Sequence, residues 1–216
     1  MAASSRILDL RQLLAERFPQ TFAPAADRLA TGLPAIDQAI AGGLPKNAIT
    51  ELISPNLSAG SALLIYALLQ NAHRAGHFLA LVDGRDSFDP QPMGNVQLRN
   101  LLWVRCAKAF EAVQAADLLL RDGNFPLVVL DLVLNAPEEL RKIPQTNWYR
   151  LQRLVEAAPA AFLVLTRASI ISSAQLKLTL ENAWSLADLE KRGATSRLKI
   201  QVNRAQSGRQ VMAGTG

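Results

Sequence analysis

The sequence predicts an α/β fold: a mostly parallel central sheet covered by helices on both faces, with an antiparallel C-terminal extension. Three observations lead to this prediction. Continuous apolar runs, such as FLALVD (78–83), LVVLD (127–131) and AFLVLT (161–166), are typical of strands buried on both faces. Amphipathic helical patterns lie between these runs, as parallel strands with crossover helices require. A chain of 216 residues, half of them hydrophobic, is long enough to bury one sizeable core.

The first 30 residues are predicted to precede this core as a helix and a linker. Residues 1–18 carry an amphipathic pattern that ends before Pro19. The apolar stripe of this helix consists of Ile7, Leu10, Leu14 and Phe18. A connector rich in Pro and Ala over residues 19–30 is typical of a linker. The helix either packs on its own domain or docks on a partner, and both interpretations remain open.

Strand and helix patterns alternate through a predicted core over residues 31–210. The expected order is strand 48–54, helix 61–75 closed by Gly76, strand 78–83, strand 101–106, helix 107–121, strand 127–131, helix 147–157 and strand 161–166. After Ser173, shorter alternating patterns predict strands at 198–203 and 209–212, which would form the antiparallel edge. Residues 211–216 are predicted to be a flexible tail.

Composition excludes several classes of protein. A single cysteine, Cys106, rules out an internal disulfide framework. No apolar run reaches the roughly 18 residues that a membrane span needs, and the first residues have no apolar signal core. We therefore expect a cytoplasmic protein of bacterial type with no membrane partner. The net charge of +5 permits an acidic partner such as nucleic acid without requiring one.

The carboxyl ends of the predicted parallel strands define the expected ligand-binding edge. Asp83, Asp131 and Thr166 would lie at this edge, each at the end of a buried strand. Arg167 follows Thr166 directly. In an ATPase of this architecture such residues serve as catalytic carboxylate, magnesium-ordering carboxylate and phosphate sensor.

The loop ISPNLSAGS, residues 53–61, stands where a phosphate loop is expected. The consensus of such a loop is G-x-x-x-x-G-K-[ST]. Ser54, Ala59 and Gly60 replace its Gly, Gly and Lys, so that only the hydroxyl of Ser61 remains. The residues left from a phosphate site are Ser54, Ser58, Gly60, Ser61 and Asp131. Of these, Ser58, Gly60 and Ser61 lead into a helix N-terminus, whose backbone amides would at most attract an anion weakly.

Four motifs in order resemble those of RecA-type recombinases. They are TGLPAIDQAIAGGLPKNAITELISP, ALVDGRDSFDP, LVVLDL and SRLKIQVNRAQSGR. In the family these segments are the entry to the phosphate loop, the strand with an acidic signature, the magnesium-site strand, and a strand that faces the neighbouring subunit's nucleotide. The resemblance extends from about residue 30 to residue 209 and implies a RecA-like fold.

Departures from the RecA pattern imply that the chain is not an enzyme. Arg85 stands where the family has the carboxylate that activates water, and Arg167 where it has a phosphate-sensing Gln. Gly60 removes the Lys, and no aromatic residue for stacking on adenine appears in residues 89–92. Phosphoryl transfer depends on positioned charge, so we expect a pseudo-ATPase with no catalytic residues and no cofactor. A metal is not expected either, because Gly76 separates the only histidines, His73 and His77.

Within the RecA-like proteins, the sequence is most similar to the ImuA group. The helix LRQLLAERFP and the segment TGLPAIDQAIAGGLPKNAITEL carry this similarity. It implies a non-catalytic accessory role in translesion DNA synthesis during the bacterial DNA-damage (SOS) response. The implied partners are an ImuB-type inactive polymerase homologue, an error-prone polymerase and RecA itself. Two alternatives stay open: a SulA-like inhibitor of cell division and a RecA-type DNA-dependent ATPase.

Two sets of residues are candidates for contacts with partners. The candidates for single-stranded DNA are the basic residues Arg141, Lys142, Arg150, Arg153 and Arg167. Trp148 and Tyr149 are available for base stacking, although their helical pattern also fits a core role. The candidates for protein partners are the N-terminal stripe and the basic C-terminal stretch, namely Ile7, Leu10, Leu14, Phe18, Arg197, Lys199, Arg204 and Arg209.

Overall fold

The computed structural model describes residues 28–57, 59–91, 98–185 and 197–205. These residues belong to one compact unit, Arg28–Gln206. Several predictions concern parts of the chain outside the described residues: the N-terminal helix with Ile7, Leu10, Leu14 and Phe18, residues 19–27 of the linker, Ser58, the strand 209–212 with Arg209, and the tail 211–216.

Nine strands and five helices make up the described part of the chain. In order they are β1 (Arg28–Leu29), α1 (Pro34–Ala39), β2 (Leu44–Pro45), β3 (Ala48–Ile53), α2 (Ser61–Ala75), β4 (Leu79–Asp83), β5 (Leu101–Arg105), α3 (Ala109–Asp122), β6 (Leu127–Asp131), α4 (Pro137–Arg141), α5 (Gln145–Ala157), β7 (Ala161–Thr166), β8 (Leu176–Leu180) and β9 (Ile200–Ala205). Strands β1 and β2 form a small antiparallel pair of their own.

The other seven strands form one sheet in the order β5-β4-β6-β7-β3-β8-β9. All neighbours are parallel except β8 and β9, which are antiparallel. Helix α2 packs on one face of the sheet, and α3 and α5 pack on the other. The predicted fold class is therefore confirmed, including the antiparallel C-terminal edge.

The last part of the sheet differs from the sequence prediction in two respects. Strand β8 was not predicted, and β9 begins at Ile200 rather than at Leu198. The segment LKLTL alternates buried leucines with half-buried Lys177 and Thr179, so it lacks the continuous apolar run that identifies the central strands. Lys177 has a partner that is distant in the sequence.

The partner of Lys177 is Glu51, a fully buried carboxylate in the middle of β3. Its Oε2 lies 2.9 Å from Nζ of Lys177. Its Oε1 accepts hydrogen bonds from the backbone N–H of Ile170 (2.7 Å) and Ile171 (3.1 Å), and Oε2 accepts another from Oγ of Ser169 (3.1 Å). The carboxylate therefore joins β3 to β8 and to the loop that follows β7.

Replacing Lys177 by Ala is expected to lower the free energy of unfolding by about 3–5 kcal/mol, because Glu51 keeps a buried charge without its cation. The matched control is Lys199→Ala, which removes an exposed ammonium and should change stability by less than about 0.5 kcal/mol. Urea unfolding at neutral pH measures both values. Equal losses for the two variants would contradict a special role for the Glu51–Lys177 pair.

Candidate functional site

The carboxyl ends of four strands meet at one edge of the sheet. In the register of the sheet, Asp83 of β4 lies opposite Asp131 of β6, and Ile53 of β3 lies opposite Thr166 of β7. The backbone N–H of Ser54 donates a 2.7 Å hydrogen bond to the carbonyl of Thr166. The structure thus brings together the strand ends and the loop that the sequence analysis placed at this edge.

The loop between β3 and α2 is closed by hydrogen bonds within itself. The buried hydroxyl of Ser54 donates to the carbonyl of Asn56 over 3.1 Å. The backbone N–H of Ala59 donates to the same carbonyl, also over 3.1 Å. Gly60 is the N-cap of α2, with φ of 104°, and no side chain caps the helix. Ser61, the one consensus residue that remains, begins the helix and is buried.

Two apolar side chains from the C-terminal part of the chain cover this loop. Trp184 and Leu198, hereafter the C-terminal cover, are buried in the same apolar cluster as Ala59. A Cβ atom at Gly60 would lie only 2.7 Å from Cδ2 of Leu198 and 3.6 Å from Nε1 of Trp184. The C-terminal cover therefore occupies the space in which the side chain of a phosphate-loop Lys would begin.

Asp83 holds the loop that follows β4. Its buried carboxylate accepts hydrogen bonds from the backbone N–H of Ser87 (2.7 Å), Phe88 (2.8 Å) and Arg85 (3.2 Å). The guanidinium of Arg85 points elsewhere, since Nη1 donates to the carbonyl of Ala107 over 3.2 Å. Asp83 thus serves as the anchor of a turn, and Arg85 fixes this turn to the loop after β5.

Asp131 is a desolvated carboxylate beside Asp83. Burial raises its pKa from 3.8 to about 6, the negative charge of Asp83 acts in the same direction, and a hydrogen bond from the backbone N–H of Val133 opposes both. That hydrogen bond, to Oδ1, is 3.0 Å long. The ionised form of Asp131 is therefore less stable in the folded protein than in water.

Sequence analysis did not identify Asn135, Trp184 or Leu198 as part of this edge. The buried amide of Asn135 donates to the carbonyl of Gly84 over 2.8 Å and to Oε2 of Glu139 over 3.1 Å. It therefore connects the loops that follow β4 and β6. The sequence signal available for Asn135 was an Asn two residues before a Pro that begins a helix. Trp184 and Leu198 had no such signal, because they are far from Gly60 in the sequence.

The basic residues predicted to contact DNA have different environments. Arg141, Lys142, Arg153 and Arg167 are exposed. Arg150 is bound instead to Asp117 of α3, with 2.7 Å between Nε and Oδ1. Trp148 is buried in the core, whereas Tyr149 is half exposed. Arg150 and Trp148 thus have structural partners, and the DNA contacts stay a prediction that depends on the other residues.

The basic C-terminal stretch is described only in part. Arg197 is half-buried, and its guanidinium carbon lies 4.9 Å from the centre of the Trp184 ring. Lys199 is exposed, and Arg204 lies opposite Lys177 in the pairing of β9 with β8. Arg197 therefore packs on the C-terminal cover, and its contact with a partner stays a prediction.

Neither a metal cluster nor a membrane-spanning helix is found among the residues that the structure describes. No group of three or more His, Cys, Asp or Glu side chains in these residues has an arrangement that would hold a metal ion. No helix of the described ranges is both long and apolar enough to cross a membrane.

Comparison with known proteins identifies relatives over about half of the chain. Residues 18–140 match the family model of the RecA N-terminal domain. The chain is 33% identical to protein RecA of Frankia alni over 113 residues, which are 51% of this chain and 32% of that protein. It is 36% identical to protein RecA of Clavibacter michiganensis subsp. michiganensis over 107 residues (48% and 29%). For protein RecA of Acidothermus cellulolyticus the identity is 36% over 111 residues (50% and 32%). The matches span about a third of the length of these relatives.

Replacing Gly60 by Ala tests the packing of the C-terminal cover, and Gly42→Ala is the matched control. The two glycines have φ values of 104° and 107°, but a Cβ atom at Gly42 would meet nothing within 4 Å. Gly42→Ala should cost about 1 kcal/mol from backbone strain alone. Gly60→Ala should lower the free energy of unfolding by about 1–3 kcal/mol more than Gly42→Ala does, because Leu198 must move. Chemical denaturation measures the difference, and in a Leu198→Ala background that difference should disappear.

Replacing Asp131 by Asn should stabilise the protein at neutral pH. Because the folded-state pKa is about 6 and the unfolded value 3.8, the folded state binds the proton more tightly. Well below pH 4 the carboxyl is protonated in both states and does not change the free energy of unfolding. As the pH rises from about 4 through 6, the carboxylate lowers the free energy of unfolding by an amount that reaches a plateau of roughly 2–3 kcal/mol. Thermal unfolding should show that Asp131→Asn gains about this amount at pH 7.5 and almost nothing at pH 4. The same gain at both pH values would contradict the raised pKa.

Proposed function

The chain belongs to the RecA family, and from that premise we propose that it is a non-catalytic member that acts through contacts with other proteins. Its setting is the bacterial DNA-damage response, where it serves as an accessory factor of translesion DNA synthesis of the ImuA type. Its partners are an ImuB-type inactive polymerase homologue, an error-prone polymerase and RecA itself. DNA contact through the exposed Arg141, Lys142, Arg153 and Arg167 is a secondary part of this proposal.

The observation that carries the proposal is the packing of the C-terminal cover on Gly60. The family implies a magnesium nucleotide, whose terminal phosphates need a cation at this position. Residue 60 is a glycine and supplies no cation, and a Cβ atom at this position would lie 2.7 Å from Cδ2 of Leu198, so a Lys here would require Leu198 to move. The residues present therefore do not fit a magnesium nucleotide, because the charge that its terminal phosphates need is missing from this loop.

The two arginines at the sheet edge support the same conclusion. The guanidinium of Arg85 remains protonated at any working pH, so it cannot act as a general base for water. It donates instead to the carbonyl of Ala107. Asp83, a buried carboxylate two residues before Arg85, already accepts three backbone hydrogen bonds. Phosphoryl transfer requires positioned charge, and this edge supplies structural contacts in its place.

The experiment that tests the proposal has a biochemical arm and a cellular arm. Calorimetric titration with Mg-ATP and with a non-hydrolysable analogue should give no binding heat, and phosphate release should stay at the buffer level with and without single-stranded DNA. A RecA protein serves as the positive control. Gly60→Lys should restore neither binding nor turnover, because Leu198 would have to move and Arg85 still stands in the place of the activating carboxylate. Micromolar binding with turnover would favour a RecA-type ATPase instead.

In the cellular arm, deletion of the gene should abolish damage-induced mutagenesis. The double change Leu10→Asp and Leu14→Asp should have the same effect as the deletion, because we propose that this stripe binds the partner. Asp131→Asn should retain mutagenesis, because we propose that the carboxylate of Asp131, which is left from the nucleotide site, no longer binds magnesium. A deletion that leaves mutagenesis intact but changes cell length after damage would favour a SulA-like division inhibitor.

A further inference from the structure

A groove of about 430 Å³ lies between α3 and α5, on the face of the sheet opposite α2. Its floor is formed by Val113 and Leu151, both almost fully buried. Phe110 and Leu118 stand along the α3 side, and Arg150 stands on the α5 side. The groove is thus separated by the sheet from the Gly60 loop, and the proposed function uses none of the residues that line it.

The α3 side of the groove is unusually apolar for a surface. Phe110 is 48% exposed and Leu118 is 67% exposed, although each lies on a helix whose other apolar residues are mostly buried. These residues are about two helical turns apart, so they flank the groove along its length. Large apolar side chains that frame a groove with an apolar floor are typical of a surface that binds another protein.

A cluster of charged side chains connects the two sides of the groove. Asp117 of α3 accepts hydrogen bonds from two arginines, with 2.7 Å from Oδ1 to Nε of Arg150 on α5 and 2.7 Å from Oδ2 to Nε of Arg121 on α3. One carboxylate therefore faces two guanidinium groups, whose side chains remain 59% and 49% exposed. Arg153, one turn beyond Arg150, is exposed as well. The net charge of this cluster is positive.

We propose that this groove binds an acidic amphipathic helix of a partner protein. The apolar side chains of such a helix pack between Phe110 and Leu118 on the floor of Val113 and Leu151. Its carboxylates pair with the cluster in which Arg150 and Arg121 share the single carboxylate of Asp117, and with the exposed Arg153 one turn beyond Arg150. The proposal concerns the groove alone and does not depend on a role in translesion synthesis.

Two other occupants fit the groove less well. Nucleic acid would pair with the arginines, but its phosphate backbone makes no use of Phe110 and Leu118. A second copy of this chain in a twofold interface would bring the same positively charged cluster of each groove together. With a net charge of +5 on each chain, that arrangement is repulsive. The combination of exposed apolar side chains with a cluster of net positive charge favours an acidic protein segment.

The first part of the test identifies the occupant directly. The photo-crosslinking residue p-benzoylphenylalanine is placed at Phe110 of the full chain in its own host, and the cross-linked peptide is sequenced by mass spectrometry. The expected peptide has a negative net charge and apolar residues at helical spacing. The matched control places the same residue at Phe78, which is 54% exposed and does not line the groove. This control should not capture that peptide.

The second part measures binding of the captured segment, as a synthetic peptide, to the purified protein by fluorescence anisotropy. Leu118→Glu and Leu118→Lys remove the same apolar contact but add opposite charges on an exposed position, where both variants should fold. Leu118→Glu should weaken binding by roughly tenfold or more, and Leu118→Lys by only a few-fold. Arg153→Glu, which leaves the Asp117 ion pairs intact, should also weaken binding roughly tenfold.

Several results would overturn the proposal. Cross-linking to DNA, to a second copy of this chain, or to a neutral or basic segment would identify a different occupant. Absence of any cross-link from Phe110, or capture of the same peptide from Phe78, would exclude the groove as a specific site. Equal losses of affinity for Leu118→Glu and Leu118→Lys would remove the electrostatic part of the argument.

Discussion

The buried carboxylate of Glu51 is the constraint on which the arrangement of the C-terminal strands depends. A charge at the centre of the sheet is tolerated only when its partners are fixed, and here they come from Lys177 and from the backbone of residues 170 and 171. Lys177 places β8 beside β3, and β8 in turn places β9. Since Leu198 lies two residues before the start of β9, the ion pair between β3 and β8 helps to position the C-terminal cover over Gly60.

Because the C-terminal cover is held over Gly60, a phosphate-binding side chain at residue 60 would compete with Leu198 and Trp184 for the same space. An uncapped helix N-terminus such as that of α2 attracts anions through its free backbone amides. The same region is filled by Leu198 and Trp184, which belong to the apolar cluster of Ala59 and α2. A side chain at position 60 and the packed Leu198 require the same volume. Glycine therefore fits this position for a packing reason as well as for its left-handed φ.

The sequence predicted features that are encoded locally and missed those that arise from distant contacts. Strand β6 and helix α2 were predicted with the correct ends, because a continuous apolar run and a terminal Gly76 mark them. Strand β8 was missed because Lys177 interrupts its apolar pattern, and its partner Glu51 lies far away in the sequence. The two residues of the C-terminal cover were missed because they also are far in the sequence from the loop that they contact. Arg150 was interpreted as a DNA contact because nothing local reveals its pairing with Asp117.

The two faces of the sheet allow the phosphate edge and the α3–α5 groove to change independently. Residues of the C-terminal cover belong to the apolar cluster on the α2 face, whereas the groove floor of Val113 and Leu151 belongs to the cluster on the other face. Substitutions at sites that share no contacts have additive effects in most proteins. Changes at the phosphate edge can therefore leave the groove unchanged, because the residues of the C-terminal cover do not belong to the cluster that packs α3 and α5 onto the sheet.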